Sequence, residues 1–244
     1  MSAKNAKPAN ITEIRPKVVF QAVERMYPAQ NTEFTVNIPT SAIGGLTLLE
    51  SSVLVSFIKL ISPQEIFEFG TYMGATTLLF ARNSQERTSI VTIDIDPSTT
   101  STREGINEKE YLSDDAANDE YLKDIFSKHG AIYIDRAQKA IKQRVTQIHQ
   151  DSTTIEPKAQ NFLNRFDLIF IDGGHDFNTV KSDTKNALRM ATDDAIIVWH
   201  DFRSQIHGDV TSFLNEFCKN HEIIHIQNTM LAFMLIGKHK EILS

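Results

Sequence analysis

Ile66-Phe67-Glu68-Phe69-Gly70-Thr71-Tyr72-Met73-Gly74 decides the fold. An apolar run suited to a buried parallel strand ends in an acid and two glycines, and the helix-like Ala75-Thr76-Thr77-Leu78-Leu79-Phe80-Ala81 follows. Gly70 and Gly74 permit close approach of backbone to a ligand. The next strand-like run, Ile90-Val91-Thr92-Ile93, delivers Asp94 and Asp96 to its carboxyl end, where a carboxylate can accept hydrogen bonds from both hydroxyls of a ribose. The pair of motifs outlines a nucleoside pocket.

The glycine spacing narrows the ligand. A dinucleotide site reads G-x-G-x-x-G, with a helix N-terminus aimed at the pyrophosphate. Here the pattern is E-x-G-x-x-x-G, without the middle glycine. Glu68 beside a diphosphate would be repelled, but facing the ammonium of an amino-acid moiety it is attracted. S-adenosylmethionine meets these demands. The plainer reading of the same segment is an ordinary tight strand-to-helix turn.

Working outward, strands are expected at 65–69, 90–94, 145–150, 166–172, 195–199, 223–227 and 231–236. Helices are expected at 46–61, 75–82, around 121–129, 137–143, 177–190 and 210–220, and a short one over 14–27. Alternating strands and helices predict an α/β fold with a doubly wound, mainly parallel, seven-stranded sheet. Only Asn228-Thr229-Met230 separates the last two strands, which predicts a hairpin and an antiparallel strand near one edge. The expected division is an N-terminal tail and helical extension over 1–45 and one domain over 46–244, interrupted by an acidic insert at about 98–143. Between Ser101 and Phe126 eight acidic residues, Asp119 among them, face three basic ones. That excess reads as a solvated surface excursion or, more sharply, as a lid or an oligomer contact.

Composition bounds the function. Hydrophobic residues make up 41% and charged residues 23%, as in an ordinary globular protein, and no apolar run is long enough to cross a bilayer. A formal net charge of −6 argues against a general nucleic-acid binder. The polar N-terminus lacks an apolar signal core, and Cys218, the single cysteine, rules out an intrachain disulfide framework or a cysteine-built zinc site. A cytoplasmic location without membrane or nucleic-acid partners is the expectation, compatible with a homodimer closed by the N-terminal helices.

In a doubly wound sheet the ligand lies beyond the carboxyl ends of the strands. Those ends carry Glu68, Asp94, Asp151-Ser152, Asp172-Gly173-Gly174-His175 and His200-Asp201. Taken singly, Asp151, Asp176 or Asp201 is as readily a helix cap. Together they converge on one rim, and paired carboxylates at Asp172 and Asp201 would repel unless a cation or proton intervened.

These segments resemble the class I S-adenosylmethionine-dependent methyltransferases, especially the small-molecule O-methyltransferase branch of catechol type. The matching pieces are E-F-G-T-Y-M-G-A-T at Glu68 to Thr76, V-T-I-D at Val91 to Asp94, Q-D-S at Gln150 to Ser152, F-D-L-I-F-I-D-G-G-H at Phe166 to His175, and A-I-I-V-W-H-D at Ala195 to Asp201. The resemblance spans roughly residues 46–237 and implies a Rossmann-like fold. It implies that Gly70, Thr71, Tyr72, Gly74 and Thr76 line the methionine part of the cofactor, with Glu68 near its ammonium, Asp94 on the ribose, and Asp151 and Ser152 at the adenine. It further implies a divalent metal on Asp172, His200 and Asp201, with Asp172 and His175 catalytic and His175 the general base. His200 stands where the metal-dependent relatives carry an acid or amide. Imidazole is a poorer partner for Mg²⁺ than oxygen, so Mg²⁺, another divalent cation such as Mn²⁺, Fe²⁺ or Zn²⁺, or no metal all stay open. The segment Ala191-Thr192-Asp193-Asp194, where relatives show a proline-glycine turn, is read as a loop.

The expected function is methyl transfer to a hydroxyl of a small-molecule acceptor, a sugar or a phenolic natural product. An NAD-dependent oxidoreductase, a non-catalytic adenosyl-ligand-binding protein and a metal-dependent hydrolase are the alternatives. Arg203 and His207 stand where they could reach an acceptor, or face solvent.

Overall fold

The computed structural model describes residues 11–28, 32–36, 44–99 and 115–244. Residues 1–10, 29–31 and 37–43 of the expected extension, and 100–114 of the insert with Glu104, Glu108, Glu110 and Asp114, lie outside the described residues. The strands are β1 (Ile11–Ile14), β2 (Glu65–Phe69), β3 (Ser89–Asp94), β4 (Val145–His149), β5 (Phe166–Ile171), β6 (Ala191–Trp199), β7 (Ile223–Ile226) and β8 (Ala232–Leu235). The helices are α1 (Pro16–Met26), α2 (Leu48–Ile61), α3 (Ala75–Asn83), α4 (Asp115–His129), the short α5 (Ile132–Asp135) and α6 (Lys139–Lys142), α7 (Phe177–Met190) and α8 (Gly208–Phe217).

Among the described residues the strands form one sheet of order β1-β7-β8-β6-β5-β2-β3-β4. From β2 the chain winds outward through β3 and β4, then crosses back to β5 on the other side. The strand order therefore reverses between β2 and β5, and the ligand cleft of such a sheet opens beyond the carboxyl ends at that point. Strand β8 runs antiparallel to both β6 and β7, as the short connection between the last two strands required.

Two expectations need correction. The sheet has eight strands rather than seven, because Ile11–Ile14 pairs in parallel with β7 and makes the edge. Ile11–Ile14 of the expected extension is therefore part of the sheet, and the helix after it starts only at Pro16, a residue suited to a first helical turn. Ala191–Asp194 is not a loop but the start of β6. It pairs with β5 through an irregularity in which Phe166 faces Ala191 and Leu168 faces Ile196. Such a bulge absorbs surplus residues without a turn.

The parallel strands are buried on both faces, as their near-continuous apolar runs require. Ile66, Ile90, Leu168 and Phe170 pack with α1, α2 and α3, whereas Phe67, Phe69, Ile93, Ile169 and Ile171 pack with α7 and α8. Each fully buried Phe or Ile contributes about 1.5–3 kcal/mol. Helix α2 begins with a capping box, in which the Thr47 hydroxyl accepts the Glu50 amide while the Glu50 carboxylate accepts the Thr47 amide. Asp176 caps α7 through the amides of Asn178 and Thr179. No described helix is long and apolar enough to cross a membrane.

Candidate active site

The loop after β2 is held by its neighbours. The Gly70 amide donates to the Ile93 carbonyl at 2.9 Å and the Asp172 amide to the Phe69 carbonyl at 2.9 Å, so the ends of β2, β3 and β5 are drawn together. Gly70 has φ 90°, and a Cβ there would lie 2.0 Å from the Asp172 carbonyl oxygen; only glycine fits. Asp94 reaches back from β3, and one of its oxygens accepts the amides of Thr71 at 3.0 Å and Tyr72 at 2.7 Å. Burial raises the Asp94 pKa against the pull of these amides.

Glu68 and Gly74 sit behind this loop, not in the cavity wall. Glu68 is fully buried; one oxygen accepts the Thr77 hydroxyl and the other has no partner. Burial pushes its pKa up to about 8, leaving the group neutral at pH 7. Gly74 caps α3 at φ 81°, and a Cβ there would meet the Ile134 side chain at 2.5 Å.

A cavity of about 880 Å³ opens at the switch point. One wall carries Gly70, Thr71, Tyr72, Thr76 and Asp94, and a second carries Asp151 and Ser152. Asp172, His175, His200 and Asp201 line the same cavity, as do Arg203 and His207. Of the residues singled out in the sequence for the site, all but Glu68, Gly74 and Asp96 thus meet in one cavity. Asp151 also caps the short 3-10 turn Ser152–Thr154 by accepting the Thr153 amide.

The acids and imidazoles interlock. His200 Nδ1 lies 3.1 Å from an Asp172 oxygen and 3.0 Å from Asp201 Oδ2, and His175 Nε2 reaches the same Asp201 oxygen at 3.2 Å. His175 Nδ1 bonds Asp119 at 2.6 Å, and its ring stacks on His207 with 3.7 Å between centroids. Burial alone would lower the His175 pKa, but the hydrogen bonds to Asp119 and Asp201 outweigh it and raise the value to about 10. His200 behaves likewise: Asp201 and Asp172 overcome its burial and hold it well above the usual range. Burial would raise Asp201, yet the two rings keep it well below the carboxylate range. His175 therefore holds its proton at pH 7 while both carboxylates face it. Asp201 adopts φ 57°, a costly conformation for a non-glycine residue and common where function demands it.

The donor chemistry suits a cation. Ligand atoms of Asp172, His175 and Asp201 lie within 4.8 Å of one another, and His200 Nδ1 touches both carboxylates. Carboxylate oxygens mixed with imidazole nitrogens fit Mn²⁺, Fe²⁺ or Zn²⁺ better than the all-oxygen surroundings sought by Mg²⁺.

Two neighbours were not recognised as site residues. Asp119 was counted among the acids of the insert, but α4 turns it inward beside Leu122, Lys123 and Phe126, which also line the cavity. Glu50, in the first turn of α2, lies 3.6 Å from His200 Nε2. The signal for Glu50 was an acid at the third position of a mostly apolar helix, which by itself announces only a cap. Arg203 lines the cavity and also pairs with Glu13 of β1 at 2.5 Å.

Residues 67–202, over half of the chain, match the family model described as a methyltransferase domain. The fold is similar to the SAH-bound methyltransferase PaMTH1 of Podospora anserina, with TM-score 0.53, 14% identity, and coverage of 91% of this chain and 88% of that one. It is also similar to the O-methyltransferase TomG of Streptomyces achromogenes, involved in tomaymycin synthesis and crystallised with SAM, with TM-score 0.51, 13% identity, and coverage of 91% and 90%. No curated protein matches the chain.

Proposed function

The chain belongs to the S-adenosylmethionine-dependent methyltransferase family, and from that premise we propose that it transfers the methyl group to a hydroxyl of a small molecule, a sugar or a phenol, assisted by a divalent cation. The observation that carries this reading is that the glycine loop and Asp94 line one cavity together with Asp172, His175, His200 and Asp201.

In this reading Gly70, Thr71, Tyr72 and Thr76 surround the methionine part of the cofactor. Asp94 accepts from the ribose hydroxyls, and Asp151 and Ser152 border the adenine. Glu68 and Gly74 act from behind, by supporting the loop and seating α3. Asp172, Asp201 and His200 hold the cation, with His175 adjoining. The bound cation would polarise a coordinated hydroxyl and lower its pKa.

Methyl transfer is an in-line displacement: the hydroxyl oxygen bonds to the methyl carbon, the carbon–sulfur bond breaks with its electron pair on sulfur, and the hydroxyl proton leaves to a base. His175 begins with both nitrogens engaged by carboxylates. It can receive the proton at Nε2 only after Asp201 turns from it, for instance toward a cation. Asp119 would then retain the Nδ1 proton and keep Nε2 facing the acceptor. The wall of Leu122, Phe126, Ile206 and Met230 supplies apolar surface for the body of the acceptor and keeps water from the reacting atoms.

The test is titration calorimetry of the metal-free chain with S-adenosylmethionine, S-adenosylhomocysteine and NAD, followed by transfer of labelled methyl to a panel of sugars and phenols. Micromolar binding of the adenosyl ligands with label in an O-methyl product supports the reading. Preference for NAD, or adenosyl binding with no transfer to any acceptor, counts against it.

A further inference from the structure

Glu50 lies outside every motif of the site, yet it is 1% exposed and directed at it. One oxygen is occupied by Thr47, from the amide at 2.9 Å and the hydroxyl at 2.8 Å. The other accepts the Met230 amide at 2.8 Å and stands 3.6 Å from His200 Nε2. That Nε2 atom is buried and has no hydrogen-bond partner. Capping accounts for the first oxygen alone. It does not account for a carboxylate turned inward against an imidazole whose opposite nitrogen touches Asp172 and Asp201.

We propose that Glu50 is a positioning residue for His200: its carboxylate orients the ring so that the Nε2 proton faces Glu50, and Nδ1 is presented with the Asp172 and Asp201 oxygens as a ligand for a divalent transition cation. The inference rests on the cation in the function proposed above and goes beyond it in assigning a residue outside the ligand set. The spacing supports it. Cis ligands about 2.1 Å from a small divalent ion lie about 3 Å apart, which is the separation of Nδ1 from each carboxylate oxygen. A carboxylate behind a ligating imidazole fixes its tautomer and makes it a better donor. Because Glu50 is tied to Thr47 and Met230, α2 and the turn before β8 hold it still, and the ring inherits that rigidity.

The experiment uses the full chain, freed of metal, with Zn²⁺ and Mn²⁺ as probes. Calorimetry on Glu50→Gln is expected to show Zn²⁺ affinity weakened about ten- to a hundredfold, the usual loss for a partner of this kind, with S-adenosylhomocysteine affinity unchanged. Thr47→Ala removes the cap at the other oxygen and should cost helix stability while changing Zn²⁺ affinity less than about threefold. Nitrogen-15 NMR of wild-type His200, assigned by the loss of its signals in His200→Gln, should show Zn²⁺ on Nδ1 and a proton on Nε2. This measurement decides the matter even if Glu50→Gln fails to fold. Unchanged Zn²⁺ affinity in Glu50→Gln, an equal loss in Thr47→Ala, or Zn²⁺ on Nε2 would each reduce Glu50 to a helix cap. If the wild type binds neither probe yet binds S-adenosylhomocysteine, the cation and this role of Glu50 fall while the methyltransferase reading stands.

Discussion

Asp119 of α4 and Nδ1 of His175 lie 2.6 Å apart, so the acidic insert contributes a partner to the reactive rim. The contact ties to the rim a helix whose Leu122 and Phe126 line the cavity. It also makes the protonation of His175 depend on whether α4 is in place.

Removing that partner should change the charge of the ring. His175 is faced by Asp119, Asp201 and the stacked His207, and the first two raise its pKa to about 10. Asp119→Asn should lower that pKa, detected by NMR titration of the metal-free protein. Because a base works only when deprotonated, the rising limb of the transferase pH–rate profile should move to lower pH in the variant. An unmoved limb would exclude His175 as the base.

Asp94→Ala should weaken S-adenosylhomocysteine binding more than tenfold. The carboxylate organises the Thr71 and Tyr72 amides before any ligand arrives, and charge-assisted bonds of this kind are worth about 1.5–3 kcal/mol. Calorimetry checks it. Asp94→Asn, which keeps one acceptor, should fall between the two.

Gly70→Ala has no room. With φ 90° and a Cβ 2.0 Å from the Asp172 carbonyl, β2 and β5 must separate. A loss on the order of 3 kcal/mol is expected, read from denaturant unfolding, together with weaker cofactor binding. Near wild-type stability would mean that the strand ends are looser than drawn.

Asp183 supplies a pH dependence away from the rim. Both oxygens are buried without hydrogen-bond partners beneath Gly173, and Ser152 stands close enough only to moderate the effect. Burial raises its pKa from 3.8 to about 7. Between those values the native state holds a proton that the unfolded chain has lost, so stability falls as pH rises from about 4 to about 7. The full span is on the order of 4 kcal/mol. Asp183→Asn should abolish that slope in urea melts run across this range; an identical slope would show that the carboxyl is solvated.

Much of this architecture was written locally. The apolar runs at Glu65–Phe69, Ser89–Asp94, Phe166–Ile171 and residues 195–199 and the capped, amphipathic Phe177–Met190 declare themselves by period and punctuation, and the strand ends place Asp94, Asp172 and Asp201 on one rim. Ile11–Ile14 did not: four residues with two polar ones between two isoleucines show no strand alternation, and the strand exists because β7 offers a free edge. Ala191–Asp194 misled because two consecutive acids imitate a turn, whereas pairing with β5 overrides that preference. Glu50 and Asp119 were illegible as site residues because their roles arise across long stretches of chain, from α2 to β6 and from α4 to the end of β5. No local pattern reports such a meeting.

The pairing of Ile11 with Ile223 carries a consequence for how the molecule assembles. Strand β1 meets its neighbour β7 across a long stretch of sequence, and contacts of such long separation form slowly. Glu13, on that strand, grips Arg203 just beyond Asp201. The seam between β1 and β7 is therefore also the one that steadies the segment after Asp201, so closure of the sheet edge and order at the rim are coupled through the Glu13–Arg203 ion pair.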